Sequence, residues 1–267
     1  MKWGRAVGHF VMWTTAVACV SPLLSLVVLA FSAQWPFPHL LPSLFTADHL
    51  AKLLLSPRLG EAVTTSLELA LLTTVATLLL VFPAAKAAGL YSFRGREALK
   101  LLALMPVMVP AATVTMGLHY FMIRVGLAGT MLGVVIVHTV FAVPYAFRIL
   151  MYVFEIMGEQ HEEQAAMLGA GPLMVFSAVT LPLVMPGMVA AATMSFVISF
   201  SQYITTFIIG GGRLLTVPLL LVPHVQGGEL HVASVYSLVF IFTALAALVL
   251  LRAVVRHCYR ETYFLNP

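Results

Sequence analysis

Six long stretches of mostly apolar residues dominate this sequence of 267 residues. They cover residues 10–31, 64–88, 101–123, 127–151, 185–209 and 232–255. A helix needs about 20 consecutive apolar residues to cross a bilayer core about 30 Å thick, and each stretch reaches that length. Because the stretches are continuously apolar and do not alternate with polar residues, they predict helices and not the strands of a barrel. The chain is therefore predicted to be an all-α integral membrane protein with six transmembrane helices.

The composition excludes the main soluble classes of protein. Hydrophobic residues make up 61% of the chain and charged residues only 9%, whereas soluble domains contain about 25% charged residues. A nucleic-acid-binding surface or a disordered tail would need much denser charge. Cys19 and Cys258 lie near opposite ends of the chain, so we expect neither a disulfide framework nor a cysteine-based metal site.

The distribution of Lys and Arg predicts the orientation in the membrane. With the N-terminus inside, the inner connections hold ten basic residues: Lys2, Arg5, Lys86, Arg94, Arg96, Lys100, Arg148, Arg252, Arg256 and Arg260. The outer connections hold four: Lys52, Arg58, Arg124 and Arg213. An excess of positive charge marks the cytoplasmic side, so both termini are predicted to be cytoplasmic.

Three segments are predicted along the chain. Residues 1–62 form an N-terminal anchor helix and an outer interfacial segment, residues 63–255 form the membrane core, and residues 256–267 form a cytoplasmic tail. The first apolar stretch could instead be a secretion signal, but its core of about 20 residues exceeds the 7–15 typical of a signal. The outer segment is too rich in proline for one long helix. Its prolines and aromatic residues are Pro36, Pro38, Pro42, Pro57, Trp35, Phe37 and Phe45.

The inner connection between the fourth and fifth stretches, residues 152–184, has an unusual composition over residues 155–182. Four acidic residues fall within nine positions: Glu155, Glu159, Glu162 and Glu163. The pattern predicts a short amphipathic helix over residues 158–168, which Gly169, Gly171 and Pro172 then end. It could be a solvated loop on the membrane surface, but anionic lipids repel acidic segments. Small residues beside the acids and a stiff turn favour docking into a groove of another protein.

The same connection carries a resemblance to a known family. Glu163-Gln164-Ala165, Gly169, Val179 and Leu181-Pro182 resemble the EAA motif of permease subunits in binding-protein-dependent ABC importers: Glu-Ala-Ala, three residues, Gly, nine residues, an aliphatic residue, one residue, Leu-Pro. Every spacing fits, and Gln164 replaces the usual Ala. Segments 65–70, 82–85 and 104–110 are also similar to this family, so the resemblance covers most of the chain.

The resemblance implies a type I importer permease (MetI-like) fold with a cytoplasmic coupling helix, in a bacterial inner (plasma) membrane. It implies that two permease subunits, as a homodimer or heterodimer, form the path, that two ATPase subunits bind the EAA loops, and that an extracytoplasmic binding protein delivers substrate. The implied coupling residues are Glu163, Gln164, Ala165, Ala166, Gly169, Leu181 and Pro182. The chain has no phosphate-binding loop motif. We therefore expect it to bind no cofactor itself, and ATP and Mg²⁺ to be used by the partner ATPase.

Polar residues within the apolar stretches are candidates for the substrate path, because burying them in lipid is costly. These residues are Glu68, Ser199, Ser201, Gln202, Tyr203 and Thr206. In the resembled family the fifth span lines the path. Ser and Thr can instead bond to carbonyls of their own helix, and Glu68 can be an interfacial carboxylate near the outer face. For His119 and His138 we expect a helix–helix hydrogen bond and no ligand role, and no metal site is expected.

Two other functional classes are alternatives. An ion- or proton-coupled secondary transporter usually needs an ionisable pair within the membrane, and only Glu68 lies well inside a stretch. A membrane-embedded enzyme would need paired carboxylates or a metal constellation, and neither pattern occurs in the sequence. The substrate is open. The pattern looks most like the branch for polyamines, iron(III), thiamine or phosphonates and not like the sugar permeases, and the absence of acids in the fifth stretch disfavours a polyamine.

Overall fold

The structure, a computed structural model, describes residues 2–34, 42 and 44–264, with side chains for 9–32, 42, 44–47 and 50–253. Its elements are α1 (Lys2–Ala30), β1 (Ser32–Gln34), β2 (Leu44–Phe45), α2 (Asp48–Leu54), α3 (Pro57–Leu90), α4 (Arg96–Met108), α5 (Ala111–Arg124), α6 (Met131–Met157), α7 (Gln160–Met167), α8 (Pro172–Val175), a π-helical turn (Phe176–Thr180), α9 (Leu181–Phe200), α10 (Ile204–Gly210), α11 (Val217–Gln226) and α12 (Leu230–Phe264).

The helices fit the predicted membrane protein. Within the described residues, five segments are long and apolar enough to cross a bilayer: His9–Ala30, Pro57–Leu90, Met131–Met157, Pro172–Phe200 and Leu230–Ala253. The pair α4–α5 passes the same test as one unit bent by 104°, which brings the number to six if the pair is a single broken span. The all-α prediction is confirmed, apart from the short β1–β2 ribbon.

The chain divides into two compact units. One consists of Met1–Val63 and Val217–Thr243, and the other of Thr64–Thr216 and Ala244–Pro267. In the first unit, α1 is followed by the antiparallel ribbon, in which Ser32 pairs with Phe45. The predicted interfacial residues Trp35 to Pro38 lie outside the described residues. The second unit contains both hydrophobic cores described below.

The third apolar stretch is not the single straight helix that we predicted over residues 101–123. The chain breaks between α4 and α5, where Val109 adopts an extended conformation with φ −109° and ψ 138°. The cause is Pro110, because a proline lacks the N–H of the helical ladder and forces the residue before it out of the helical region. The sequence contained this signal, but the apolar pattern alone does not distinguish a straight span from a bent one.

The fifth stretch also differs from its predicted bounds of 185–209. The helix starts at Pro172, runs through the π-helical turn into α9 and reaches Phe200. It is then interrupted at residues 201–203, and α10 follows. The start is earlier because Gly171 is extended and Pro172 is well suited to the first turn of a helix. Helix α11, between this segment and α12, was not predicted.

Close packing of α6 against α3 and α9 forms the centre of the second unit. A Cβ on Gly187 would lie 2.6 Å from Val153 Cγ2, and one on Gly89 would lie 2.6 Å from Phe154 Cβ, so each glycine permits the contact. One buried core lies at this end of the helices and includes Phe147, Phe154, Leu150, Val81 and Val184. A second core includes Leu69, Met122, Val134, Val137 and Ile209. The two cores fix α3, α6 and α9–α10 relative to one another.

Candidate functional site

The loop between α6 and α8 folds as a short helix between two glycines. Gly158 precedes α7 with a φ of +65°, and Gly169 follows it with a φ of +88°. The N–H of Gly169 donates to the carbonyl of Ala166 (3.0 Å), and the N–H of Ala170 donates to that of Ala165 (3.1 Å). This pair of bonds is the Schellman arrangement of a helix end, which requires a left-handed residue. The prediction that Gly169 ends the helix in this way is confirmed.

One face of α7 is open to the surroundings. Glu163, Gln164 and Ala166 are exposed and Ala165 is half-buried. The turn beside them exposes large apolar side chains, with Leu168 exposed by 90% and Leu173 by 84%. Met167 and Met174 are exposed too. We call the seven residues Glu163, Gln164, Ala166, Met167, Leu168, Leu173 and Met174 the loop face. Its apolar part was missed at the sequence level, although four large apolar residues around a glycine-rich turn were a usable signal.

The opposite face of α7 contacts the membrane helices. Lys86 Nζ, near the end of α3, lies 2.8 Å from Glu162 Oε1. The hydroxyl of Thr180, in the π-helical turn, donates to the same oxygen at 2.5 Å. Arg96 Nη2 also lies 3.3 Å from Glu155 Oε1. Sequence reasoning grouped the four acids together, whereas the structure separates Glu162, which faces inward, from the exposed Glu163.

We expected Leu181 and Pro182 to lie where the loop rejoins the fifth span. They lie further along that helix instead. They are the first two residues of α9, inside the continuous helical segment Pro172–Phe200. Leu181 is half-buried and Pro182 is buried. Pro182 has no N–H to donate within this continuous segment, and the π-helical turn directly before it is where the hydrogen-bond ladder changes its spacing.

The polar residues of the fifth stretch gather at the interruption between α9 and α10. Ser199 is buried at the end of α9, Ser201, Gln202 and Tyr203 form the interruption, and Thr206 is buried in α10. Ser201 donates to the carbonyl of Val197 (2.8 Å), which is the intrahelical alternative. Ser199 instead bonds to other helices. Thr206 does both, since its hydroxyl donates to the carbonyl of Gln202 (2.8 Å) and also contacts His138. Neither interpretation therefore describes all five residues.

A fully buried histidine joins the two sides of the interruption. His138 Nδ1 in α6 lies 2.9 Å from the hydroxyl of Ser199, and its Nε2 lies 3.1 Å from that of Thr206. Ser199 also donates to the hydroxyl of Thr73 in α3 (3.2 Å). The expected helix–helix hydrogen bond of His138 is confirmed. We call Thr73, His138, Ser199 and Thr206 the buried cluster.

A further pair of hydroxyls links α5 to α10. Thr115 Oγ1 lies 3.3 Å from Thr205 Oγ1, and Thr205 donates to the side-chain oxygen of Gln202 (3.1 Å). Thr73 and Thr115 were not predicted, because a threonine in a helix can satisfy its hydroxyl locally and so carries no signal of its own. Glu68, a predicted path residue, is exposed on α3 and lies outside the buried cluster. Since α3 begins at Pro57, Glu68 lies about three turns after the start of the helix.

Both helix interruptions line one cavity. It has a volume of about 520 Å³, and Pro110 of the α4–α5 bend and Gln202 of the α9–α10 interruption are among its lining residues. A neighbouring cavity of about 730 Å³ shares Tyr145 with it and extends to Arg148. Among the described residues that line the two cavities, Arg148 alone is charged. Interrupted helices beside a cavity are the arrangement that transporters use to expose backbone polar groups to a solute.

Sequence comparison identifies the family. The family model of the binding-protein-dependent transport system inner membrane component matches residues 82–262. The matched region is well over half of the chain and includes α7, the loop face, the π-helical turn and the interruption between α9 and α10.

Individual relatives agree with this match. The osmoprotective compounds uptake permease protein GgtD of Synechocystis is 29% identical over 175 residues, 66% of this chain and 59% of that protein. The molybdenum transport system permease protein ModB of Mycobacterium bovis is 30% identical over 202 residues, 70% of this chain and 71% of that protein. The putrescine transport system permease protein PotI of Escherichia coli is 27% identical over 144 residues, 51% and 50%. The chain thus spans less than two thirds of the length of some of these relatives.

A solved structure shares the fold. The crystal structure of a bacterial ABC transporter involved in the import of the acidic polysaccharide alginate matches with a TM-score of 0.69 and 16% identity, over 98% of this chain and 97% of that chain. The family match, the curated relatives and this shared fold lead to one conclusion: the chain belongs to the family of inner membrane components of binding-protein-dependent transport systems.

Proposed function

We propose that the chain is the membrane-spanning subunit of an ATP-driven importer. With a second permease subunit, identical or not, it forms the path for a small solute that an extracytoplasmic binding protein delivers. Two separate ATPase subunits hold ATP and Mg²⁺ and bind the α7 loops. Family membership supports this assignment, and the loop face is the observation on this chain that carries it.

The loop face has the features of a docking surface for a folded partner. A cytoplasmic loop without a partner gains nothing from exposing Leu168 and Leu173 to water, since each buried apolar side chain stabilises a contact by about 1.5–3 kcal/mol. The carboxylate of Glu163 and the amide of Gln164 are exposed on the same loop face and provide the polar rim of an interface. The Schellman end at Gly169 holds the two parts in one geometry. We assign the ATPase to this surface.

The cavities beside the two helix interruptions are assigned to the solute. Gln202 faces the smaller cavity, and Tyr145 borders both. Hydroxyl, amide and apolar groups make up most of the lining, with Arg148 at one end. Within the branch that the resemblance suggests, this lining favours a neutral or anionic solute over a polyamine, for which carboxylates would be needed.

Co-purification tests the assignment of the ATPase. The tagged chain is co-expressed with candidate ATPase subunits from its source organism, extracted in mild detergent and captured. We expect the ATPase to be retained by the native chain and lost with Leu168→Arg, which places a charge in the apolar part of the loop face. The matched control is Leu55→Arg, because Leu55 is similarly exposed, by 84% against 90% for Leu168, but lies between α2 and α3. An ATPase retained by Leu168→Arg, or none captured by the native chain, would contradict the proposal.

A further inference from the structure

Three polar side chains connect α7 to two membrane helices, and we call them the clasp. Glu162 on α7 accepts from Lys86 at 2.8 Å and from Thr180 at 2.5 Å, through the same oxygen atom. Lys86 lies one turn before the end of α3, and Thr180 directly precedes α9. A single carboxylate therefore holds α7, α3 and the start of α9 together. Neither the EAA spacing nor the apolar pattern pointed to these residues.

The clasp is shielded from water, unlike the other lysine pair near this end of the unit. The side chains of Lys86 and Glu162 are exposed by only 24% and 15%, and Thr180 is fully buried. In the pair of Lys100 and Glu97, both residues belong to α4, and Glu97 is exposed by 79%. Exposed pairs within one helix contribute little, whereas a shielded pair with a further hydrogen bond holds its geometry more firmly. The clasp is thus a defined joint between elements.

The π-helical turn places Thr180 in the clasp. The N–H of Leu181 donates to the carbonyl of Phe176, five residues earlier, which is the spacing of a π-helix. The hydroxyl of Thr180 also lies 3.4 Å from the carbonyl of Val175. An aromatic contact accompanies the clasp, since the rings of Phe82 on α3 and Phe176 in the turn lie 5.8 Å apart, edge to face. Phe82 lies one turn before Lys86, and Phe176 lies one turn before Thr180. Short π-helical turns within α-helices frequently mark functional positions.

A second joint connects the same two helices deeper in the unit. There Ser199 of α9 donates to Thr73 of α3, and His138 bonds to Ser199. Thr73 precedes Lys86 by 13 residues on one continuous helix, a distance of about 20 Å at 1.5 Å per residue. Helices α3 and α9 are therefore tied at two points, one at α7 and the other at the interruption that lines the smaller cavity.

We propose that the clasp makes α7, the adjoining end of α3 and the start of α9 move as one body, so that displacement of α7 reaches the buried cluster. Lys86, Glu162 and Thr180 are positioning residues in this scheme. They do not contact the partner; they transmit its movement. The inference rests on the proposed function, and it deepens it by naming the residues that link the docking surface to the path. Packed helices pass on such shifts because they slide as rigid bodies.

The test measures amide hydrogen exchange of the chain in lipid nanodiscs. In the chain alone, Lys86→Ala and Thr180→Val should speed exchange in segment 160–167 and also in segment 199–206, by about fivefold, the upper end of what loss of a partly exposed ion pair produces. Lys100→Ala, the matched control, should leave both segments unchanged. The exchanged pair Lys86→Glu with Glu162→Lys should bring both segments back towards native rates. Faster exchange in segment 160–167 alone, or no recovery in the exchanged pair, would overturn the inference.

A second experiment measures hydrogen exchange in the complex with the co-purified ATPase. Addition of ATP should change exchange in both segments of the native chain, by about fivefold or more, as for linked sites. In Lys86→Ala and Thr180→Val the change in segment 160–167 should persist, while that in segment 199–206 is lost. If both changes persist, the clasp does not transmit movement. A native chain that captures no ATPase contradicts the proposed function, and the measurements on the chain alone still decide the clasp. Thr180→Val keeps the shape of threonine and serves if Lys86→Ala fails to fold.

Discussion

The two polar regions of this chain, the α6–α8 loop and the interruption between α9 and α10, are built in opposite ways. In the loop, residues close in sequence form a short helix whose outer face is exposed, and backbone hydrogen bonds around Gly169 hold its shape. At the interruption, Ser199 and Thr206 are buried and contact other helices, through His138 and Thr73. The loop exposes its side chains to the surroundings, whereas the interruption is held by contacts within the chain.

This difference predicts different consequences of substitution. A change on the loop face alters what another protein can bind but removes no internal contact of the membrane helices. A change in the buried cluster leaves buried polar groups without hydrogen-bond partners, which lowers the stability of the fold. The variants below test this contrast, from the largest expected effect to the smallest.

The largest effect is expected from Gly169→Asp. A Cβ at Gly169 meets no atom within 4 Å, so space is not the restriction. The restriction is the φ of +88°, which costs a residue with a side chain about 1–2 kcal/mol. The helix end would rearrange, the loop face would lose its geometry, and we expect coupled ATP hydrolysis and uptake to be abolished while the protein still inserts into the membrane.

Two controls separate conformation from charge. Gly169→Ala should lose coupled ATP hydrolysis too, because an uncharged residue with a β-carbon meets the same cost at this φ. Gly171→Asp introduces the charge two residues away, where φ is −70°, and should be tolerated. Normal coupling in Gly169→Asp would show that the Schellman end has no mechanistic role.

The next largest effect is expected from His138→Ala. The substitution removes the partner of Ser199 and Thr206 and leaves a cavity at a fully buried position. We expect the free energy of unfolding in nanodiscs to fall by about 2–4 kcal/mol, measured by thermal denaturation. In the control His119→Ala, the ring lies in the neighbouring α5, and its Nδ1 has no hydrogen-bond partner among the described residues. An equal loss in both variants would contradict a special role for the buried cluster.

Gln202→Ala should reduce uptake while leaving assembly intact. Gln202 faces the smaller cavity and accepts a bond from Thr205, so its loss removes a polar group from the proposed path at a cost of about tenfold in uptake rate. Tyr203→Ala should have a smaller effect, since the ring of Tyr203 stacks on that of Phe207, with the ring centroids 6.0 Å apart. The measurement is uptake of the solute that a candidate binding protein from the source organism delivers.

The control for both path variants is Thr193→Ala. The hydroxyl of Thr193 donates only within its own helix, to Val189 (2.7 Å). Full uptake by Gln202→Ala, Tyr203→Ala and the double variant would remove these two residues from the path.

Glu163→Ala should have a mild effect on binding of the ATPase. The carboxylate is exposed, and an exposed charged contact contributes about 0.2–1 kcal/mol. We therefore expect the affinity for the ATPase to fall by about two- to fivefold, with the fold unchanged. Glu97→Ala removes an exposed carboxylate from α4 instead and should not alter binding. A loss as complete as that of Gly169→Asp would mean that charge, and not the shape of the loop, dominates docking.

Labelling of cysteines tests the side of the membrane without altering activity. The asymmetry of Lys and Arg predicts that the α7 loop and both termini are cytoplasmic. In a chain whose Cys19 and Cys258 are replaced, an impermeant reagent applied from outside should reach two of four new cysteines and miss the others. The reached positions are Leu50→Cys and Gln226→Cys, and the missed positions are Ser92→Cys and Thr262→Cys. Labelling at residue 92 would reverse the predicted orientation.

Much of the fold was predictable, because its signals are local. The apolar stretches located the spans, and the sequence around Gly169 predicted both the loop helix and its left-handed end. The bend at Pro110 and the early start of the fifth helix at Pro172 were also encoded locally, in the residues before and after each proline. Both features were missed because we set the bounds of the spans from length and hydropathy alone. Which of the four acids faces inward was not predictable, because an eight-residue helix is too short for its residue pattern to define which face is buried.

What the sequence by itself determined is therefore the backbone: which segments cross the membrane, where the loop helix ends, and that polar residues collect at the end of the fifth stretch. Only the tertiary structure decided the partners of those polar residues. His138 and Ser199 are 61 residues apart, and Ser199 and Thr73 are 126 apart. Backbone conformation depends on neighbours along the chain, so local patterns reveal it. A buried hydroxyl can bond to its own helix or to another one, and the packing of α3, α6 and α9 decides between them.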